Sequence, residues 1–317
     1  MSEVVFLLGA GASIDAGLPS VVQLTAELRS RLPHAPDING GCRPEFAQLF
    51  DRIAEHAPDV KCNYEKFFEW LILLVHIQKN PFSNAIGVRI EPALANAAGP
   101  LAFVIKRPIW EILRSRHQCP KYQPGYFANL KNFLPESGRL EVFTLNYDLC
   151  VEDACRAEGL RVITGFHPQN RTWNPSLFEA GGVGINLYKL HGSLNWRPND
   201  GNRWLVEDYP PQWSKEPELL LGPGLKLEPD DPFARLHCEF RNALRVAKTC
   251  VIVGFSFHDE AITKVLREAD DRAVMVIDVN PSGSMTGFDH YQWLSRTAKD
   301  ALESDDLLRA VNGSQGR

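Results

Sequence analysis

The stretch that most constrains the fold of this chain lies at its start, where five apolar residues, 4–8, run directly into Gly9-Ala10-Gly11-Ala12-Ser13. A short apolar run that ends at glycine is typical of a strand buried on both faces of a sheet. Glycine lets the backbone turn sharply and approach a ligand closely, because it has no Cβ. Ser13 and Asp15 suit the start of a helix, whose free N–H groups and dipole attract anions. The sequence therefore predicts a strand, a phosphate-binding loop and a helix.

This loop departs from two other phosphate-binding sequences. The dehydrogenase fingerprint G-x-G-x-x-G/A needs a third small residue, and Ile14 stands at that position here. The lysine of a Walker loop is also missing. A tight strand-to-helix turn without a ligand is the alternative interpretation of this stretch.

The composition is that of a globular protein with a sizeable core. Of the 317 residues, 44% are hydrophobic and 23% are charged, which is the usual balance for one large domain or two ordinary ones. The net charge of −5 does not indicate a general nucleic-acid binder. Apolar runs are too short to span a bilayer, and the N-terminus lacks the features of a signal peptide. We therefore expect no membrane association and a cytoplasmic location.

The seven cysteines are scattered along the chain and never form a C-x-x-C pair. Their odd number and spacing argue against a disulfide framework and against a cysteine zinc site. Free cysteines suit a reducing compartment. We expect no bound metal.

Apolar residues recur at helical spacing from residue 45 to about residue 135. We interpret these stripes as helix cores. Elsewhere strands alternate with helices. Strands are predicted at 140–145, 161–164, 185–190, 219–221 and 273–279, with a further strand-to-glycine junction over 250–257. Helices are predicted at 21–32, 149–157, 233–246, 258–269 and about 293–302, followed by a polar end.

This alternation predicts an α/β fold, a Rossmann-like, mostly parallel sheet with helices on both faces and an inserted helical subdomain. The predicted domains are a Rossmann-like domain of residues 1–32 and 136–290, the helical insertion of residues 33–135, and a C-terminal helix and tail of residues 291–317.

Small and polar residues follow four predicted strands, at the carboxyl ends where parallel sheets bind ligands. The first is the glycine loop, whose Gly9, Gly11, Ala12 and Ser13 can cradle a pyrophosphate. The other three are 146–148, 191–193 and 254–256.

Each of these junctions offers groups for a nucleotide. Gly254 and Ser256 can approach the same ligand as the glycine loop, and Asn280, after the last strand, is placed to hydrogen-bond a ribose. Asn146 and Asp148 could hold a second ribose or a water, although Asp148, like Asp15, could instead cap a helix. His191 is a candidate general base.

Five motifs, in this order, resemble the sirtuin (SIR2) domain: Gly9-Ala-Gly-Ala-Ser13, Thr144-Leu-Asn-Tyr-Asp148, Lys189-Leu-His-Gly-Ser193, Gly254-Phe-Ser-Phe257 and Ile277-Asp-Val-Asn280. The set is most similar to a divergent bacterial SIR2-like branch with N-Y-D and K-L-H-G-S. The resemblance implies a Rossmann-like domain that binds NAD, with the nicotinamide end between Asn146 and His191 as the catalytic pair. The remaining expected NAD contacts are Gly9, Ala10, Gly11, Ala12, Ser13, Asp15, Asp148, Gly254, Ser256 and Asn280.

The chain differs from deacetylase sirtuins in three ways. The two cysteine pairs that bind zinc there are missing between the His-Gly and Gly-x-Ser motifs, so no zinc is expected. Residues 18–20 replace the sirtuin D-F-R, and the helical insertion is longer than the usual small domain. These differences remove much of what builds an acyl-lysine channel and leave NAD cleavage intact.

The resemblance thus implies hydrolysis of NAD+ to ADP-ribose and nicotinamide, through a transition state with oxocarbenium character. Asn146 would orient the attacking water or the ribose hydroxyls, and His191 would accept a proton from one of them. Proteins of this branch often serve anti-phage defence. A homo-oligomer, or a controlling protein partner from the same operon, is therefore expected, whereas nucleic acid is not directly indicated. An NAD-dependent protein deacylase and a catalytically silent sensor of NAD or ADP-ribose are the alternatives.

Overall fold

The computed structural model describes residues 3–36, 41–80, 91–136, 138–199, 203–206, 219, 221, 232–270, 275–279 and 288–315. Within these ranges, no helix combines the length and the apolar character needed to cross a membrane. The chain divides into two compact units, one of residues 1–18, 116–219 and 226–317, and one of residues 19–115 and 220–225. The domain boundaries predicted from the sequence stay a prediction.

The strands and helices follow one another along the chain in the alternation that the sequence predicts. The strands are β1 Val4–Leu8, β2 Arg139–Thr144, β3 Val162–Ile163, β4 Gly184–Lys189, β5 Trp196–Asn199, β6 Arg203–Val206, β7 Thr249–Val253, β8 Met275–Val279 and β9 Tyr291–Leu294. The α-helices of the described ranges are α1 Val21–Arg31, α2 Glu45–His56, α3 Tyr64–Lys79, α4 Pro92–Val104, α5 Lys106–His117, α6 Cys150–Ala157, α7 Pro232–Val246, α8 Glu260–Asp270, α9 Ala298–Glu303 and α10 Asp305–Gln315.

The first unit is built on a seven-stranded sheet of order β3-β4-β2-β1-β7-β8-β9. All six strand pairings in this sheet are parallel, which confirms the predicted α/β architecture. The helices α6 and α10 pack against it, on β3 and on β7 and β8 respectively. A separate antiparallel hairpin joins β5 to β6.

Strand β1 lies at the centre of the sheet, and all five of its residues are buried. A fully apolar run suits this position, because a central parallel strand is covered on both faces. The order of strands changes direction at β1: the chain next adds β2 on one side and later β7 on the other. Ligands of open α/β sheets bind beside such a switch point, at the carboxyl ends of the strands.

The second unit is helical, as the apolar stripes predicted. Phe50 of α2 and Phe67 of α3 are buried and their rings lie 4.7 Å apart. Ser20 forms a capping box with Gln23 at the start of α1, and the Asn63 side chain accepts backbone N–H groups at the start of α3.

The prediction of a helix directly after the glycine loop is wrong. Ala10–Ser13 forms a short 3₁₀ helix, and turns follow it to Gly17, which has a φ of +92°. The first α-helix begins only at Val21, because Ser20, not Ser13, supplies the cap. No extended helix dipole therefore starts at the glycine loop.

Three other local predictions need correction. Gly125–Phe133 is a 3₁₀ helix. Residues 293–294, at the start of the predicted helix, belong instead to β9, which pairs with the preceding strand β8. Two helices, α9 and α10, then replace the predicted single helix and polar end. In the predicted strand 219–221, Leu219 forms a single bridge to Gly192, and residue 220 lies outside the described ranges.

Candidate functional site

Backbone hydrogen bonds continue the strand pairing beyond the ends of β1, β2 and β4. Leu145 N donates to Leu8 O at 2.9 Å, and Leu190 N donates to Thr144 O at 2.9 Å. The residues that follow these strands therefore leave the sheet side by side. This places the glycine loop, the segment 146–148 and the segment 191–193 along one edge of the sheet.

The glycine loop packs backbone against backbone on the loop after β7. Gly11 N donates to Gly254 O at 2.8 Å. A Cβ on Gly9 would lie 2.6 Å from Gly254 O, and one on Gly254, whose φ is +63°, would lie 2.2 Å from Ala12 N. Close packing of the two loops therefore requires glycine at Gly9 and Gly254, and the ligand approach predicted from the sequence stays a prediction.

The remaining residues of the glycine loop differ in exposure. Ala12 and Ser13 are buried, whereas Ala10 and Gly11 keep partial exposure. The Tyr126 hydroxyl donates to the Ala12 carbonyl. Contact between this loop and a ligand is thus open mainly to Ala10 and Gly11.

Asn146 is anchored to the glycine loop through its side-chain amide. Its Nδ2 donates to Gly9 O at 2.9 Å and to Ser13 Oγ at 3.0 Å. Its backbone N–H donates to Thr144 Oγ1 at 3.1 Å. Both side-chain bonds use the amide nitrogen, so Oδ1 is the atom that can accept a hydrogen bond from a hydroxyl or a water.

The two aspartates with open roles both make contacts at helix starts. Asp148 Oδ1 accepts the N–H of Cys150, the first residue of α6, at 3.0 Å. Asp15 Oδ2 accepts the N–H of Lys299, in the first turn of α9, at 3.0 Å. Asp148 therefore makes the helix-start contact that the sequence left open. Asp15 instead contacts a helix distant in the chain, whose N-cap is Thr297. A role toward NAD stays a prediction for both.

A buried ion pair that we did not single out from the sequence supports the 146–148 segment. Lys189, 1% exposed, donates through Nζ to the Asp148 carbonyl and to Glu152 Oε1, the latter at 3.2 Å. Burial raises the pKa of Glu152, and the charge of Lys189 opposes that rise. The lysine of the K-L-H-G-S motif thus ties the end of β4 to α6 and to the loop that carries Asn146.

His191 lies at the carboxyl end of β4 and faces a carboxylate. Its Nε2 lies 3.2 Å from Asp259 Oδ2, and both side chains are half-buried. Asp259 Oδ1 accepts the N–H of Ile262 at 3.0 Å, so the same carboxylate caps α8. Burial alone would raise the pKa of Asp259, but the bonds from His191 and Ile262 hold it below its usual range.

A second histidine, His237 of α7, stands beside this pair. Burial and the neighbouring His191 lower the pKa of His237 to about 4, and its ring hydrogen-bonds the backbone of Leu190. His237 is therefore neutral near pH 7. Our sequence analysis missed both Asp259 and His237. Asp259 stands directly before the apolar pattern of a helix, a cap signal that could have been used, whereas nothing in the sequence marked His237.

The last two predicted positions differ in what the structure describes. Ser256 is exposed, next to Phe257, which has a φ of +59°. Asn280 lies outside the described residues. In the part of the chain that the structure describes, no three His, Cys, Asp or Glu side chains are grouped to hold a metal ion.

A cavity of about 770 Å³ lies in the first unit, next to β3. Its lining includes Glu152 and Arg156 of α6, Thr164 and Phe166 after β3, and Asn195. None of the predicted site residues lines it, so it is separate from the glycine-loop edge.

Known proteins are similar to this chain in part of its sequence and in its fold. Residues 140–276 match the family model of the SIR2-like domain. The sequence has no match among curated proteins. Among solved structures, a triply substituted Sir2 homologue in complex with 2′-O-acetyl ADP-ribose is 17% identical with a TM-score of 0.50, over 98% of this chain and 92% of that chain. A Sir2 homologue–NAD complex is 16% identical with a TM-score of 0.46, over 98% and 90% of the two chains.

The first of these structural matches shows the shared fold, and the family match covers β2 to the start of β8, the segment that carries Asn146, His191 and Gly254. Residues 140–276 are therefore similar to the SIR2-like domain, and they form part of the Rossmann-like parallel sheet described above.

Proposed function

We propose that this protein is an NAD+ glycohydrolase that cleaves NAD+ to ADP-ribose and nicotinamide. The convergence of Asn146 and His191 at one edge of the sheet supports this proposal most. Thr144 and Lys189 are paired in register on β2 and β4, and each candidate side chain stands two residues beyond its member of that pair. The two residues therefore follow neighbouring strands at the same edge of the sheet, where Asn146 contacts the glycine loop.

The proposed reaction breaks the bond between the nicotinamide nitrogen and C1′ of its ribose. The electron pair of that bond goes to the ring nitrogen, so nicotinamide leaves as a neutral molecule. The sugar passes through an oxocarbenium-like transition state. Water then bonds to C1′ and gives its proton to His191, and the Oδ1 atom of Asn146 orients the water or the ribose hydroxyls.

The ADP part of NAD+ is proposed to lie against the exposed part of the glycine loop and Ser256. The similar Sir2 homologue is a complex with an ADP-ribose derivative, which supports binding of this part of NAD+. Asp15, Asp148, Gly254 and Asn280 are the further proposed contacts, and the buried Gly9, Ala12 and Ser13 shape the loop. No zinc takes part in the proposed reaction.

The test is nicotinamide release from NAD+ by the wild type and by His191→Ala and Asn146→Ala. We expect each variant to lose activity by about 100-fold or more, the usual contribution of an acid–base or positioning group. His56→Ala is the matched control, because His56 is exposed at the end of α2. Unchanged turnover in both site variants would refute the assignment.

Two other outcomes would point to the alternatives. Nicotinamide release that depends on an acylated peptide would indicate an NAD-dependent protein deacylase. Binding of NAD or ADP-ribose without turnover, even with candidate partners present, would indicate a sensor.

We further propose that activity in the cytoplasm is controlled by assembly or by a protein partner of the same operon, as part of anti-phage defence. This rests on the resemblance of the motifs to the defence branch of SIR2-like proteins. Measuring the mass in solution, alone and with the products of neighbouring genes, tests it. A monomer whose turnover no such product changes would contradict it.

A further inference from the structure

Asp259 contacts α8 through its carboxylate and its backbone carbonyl, and it contacts His191 through its second carboxylate oxygen. Oδ1 accepts the N–H of Ile262 at 3.0 Å, and the Asp259 carbonyl accepts the N–H of Thr263 at 2.9 Å. The residue therefore caps α8 and is fixed by that helix. Oδ2 is left facing His191 Nε2 at 3.2 Å.

The turn before α8 fixes the direction from which Asp259 approaches. Phe257 has a φ of +59°, a left-handed conformation that is unfavourable for a non-glycine residue. The Thr263 hydroxyl donates to the Phe257 carbonyl at 3.1 Å, which ties this turn to the helix. The turn before Asp259 and the helix after it therefore both fix the position of this residue.

The other groups that the structure describes around His191 do not compete with Asp259 for this contact. His237 of α7 is neutral near pH 7, because burial lowers its pKa to about 4. The Tyr147 ring lies 6.5 Å from the His191 ring, centre to centre. On α7, Glu239 is paired with Arg235 at 2.6 Å, and Arg241 acts electrostatically on His237. Within the part of the chain that the structure describes, the carboxylate of Asp259 is therefore the negative charge in direct contact with the imidazole.

We propose that Asp259 is a positioning residue, which binds the Nε2–H of His191 and leaves Nδ1 as the basic nitrogen. A histidine that donates one ring N–H to a carboxylate is fixed in one tautomer. When Nδ1 takes the proton from water, the imidazolium charge is stabilised by Asp259, which stays ionised. The inference rests on the proposed NAD+ hydrolysis and adds the group that prepares its base.

The test uses two variants that keep the helix cap but lose the charge. Asparagine and serine cap helices about as well as aspartate, so Asp259→Asn and Asp259→Ser should fold and melt near the wild type. Glu260→Gln is the matched control, because it removes a charge from the same helix start at an exposed side chain. We expect kcat to fall by about 10-fold or more in both Asp259 variants, with KM for NAD+ within about 2-fold, since proton transfer alone contributes about 100-fold or more. Glu260→Gln should keep the wild-type kcat.

A second measurement is independent of turnover. The ¹⁵N chemical shifts of the His191 ring in the free protein report which nitrogen carries the proton. We expect the Nε2–H form in the wild type and the Nδ1–H form in Asp259→Asn, whose amide can donate to Nε2. The same tautomer in both proteins, or wild-type kcat in both Asp259 variants, would overturn the inference. If the wild type cleaves no NAD+, hydrolysis fails as a function, while the ring shifts still decide whether Asp259 sets the tautomer.

Discussion

Individual side chains at the sheet edge are held by the protein before any ligand binds. The amide nitrogen of Asn146 donates hydrogen bonds to Gly9 O and Ser13 Oγ, and the His191 ring is hydrogen-bonded to Asp259. Groups held in this way need little reorganisation during a reaction, which is how polar groups contribute most to catalysis. The contribution of the supporting residues, such as Lys189, can be measured as a loss of stability when they are replaced.

Replacing Lys189 by methionine should destabilise the protein strongly. The change leaves the Glu152 carboxylate buried without its cation, and breaking a buried pair costs about 3–5 kcal/mol. Urea denaturation measures the loss. The double variant Lys189→Met/Glu152→Gln should recover part of it, because no buried charge then remains. Equal stability of the wild type and Lys189→Met would contradict the role given to this pair.

Asp278 of β8 should make stability depend on pH in the opposite sense to most carboxylates. It is fully buried, Tyr291 donates to its Oδ2, and Oδ1 finds no hydrogen-bond partner in the part of the chain that the structure describes. Burial raises its pKa to about 6. A raised folded-state pKa means that stability falls as pH rises from about 4 to about 6 and is constant above.

Asp278→Asn should therefore be more stable than the wild type near pH 7.5, by about 2 kcal/mol. The gain should vanish near pH 4, where the wild-type carboxyl is protonated. Melting curves at several pH values measure this. A constant difference between the two proteins from pH 4 to pH 7.5 would rule out the burial of an ionising carboxyl as the cause.

At the scale of elements, the loop after β1 and the loop after β7 form one packed pair at the switch point of the sheet. Gly254→Ala should disrupt it, because the methyl group would lie 2.2 Å from Ala12 N at a φ of +63°. We expect a loss of at least about 3 kcal/mol, from overpacking added to the left-handed backbone.

Gly159→Ala is the matched control for that variant. Gly159 has a φ of +68°, but a Cβ there meets no atom within 4 Å. Its cost should be limited to the backbone conformation, about 1–2 kcal/mol. Chemical denaturation of both variants separates the two effects, and equal losses would show that loop packing adds nothing.

Elements were predictable from the sequence where the signal was local. The apolar run of β1 and the helical stripe of α8 are visible in any short window. The 3₁₀ helix at Ala10–Ser13 was not predictable in this way, because Ser13 could equally have capped an α-helix. In the structure Ser20 caps the first α-helix. Strand β9 was missed because its pairing with β8 is a long-range contact that a local pattern does not contain.

At the scale of the whole molecule, the candidate site also combines features that the sequence pattern predicts with contacts that it does not. Parallel strands place their carboxyl ends along one edge, so the joint position of Asn146 and His191 followed from the alternation of strands and helices. The contact between His191 and Asp259 did not, since it depends on how α8 is oriented after β7. The sirtuin resemblance added the expected chemistry, which the pattern of strands alone could not.

The function proposed for the whole chain is one reaction, the hydrolysis of NAD+. The most direct measurement is the product balance when the wild type and His191→Ala are incubated with NAD+, with no acylated peptide present, followed by chromatography. We expect nicotinamide and ADP-ribose in equal amounts from the wild type, alone or with its controlling partner, and at least about 100-fold less of both from His191→Ala. Equal product formation by the two proteins would contradict it.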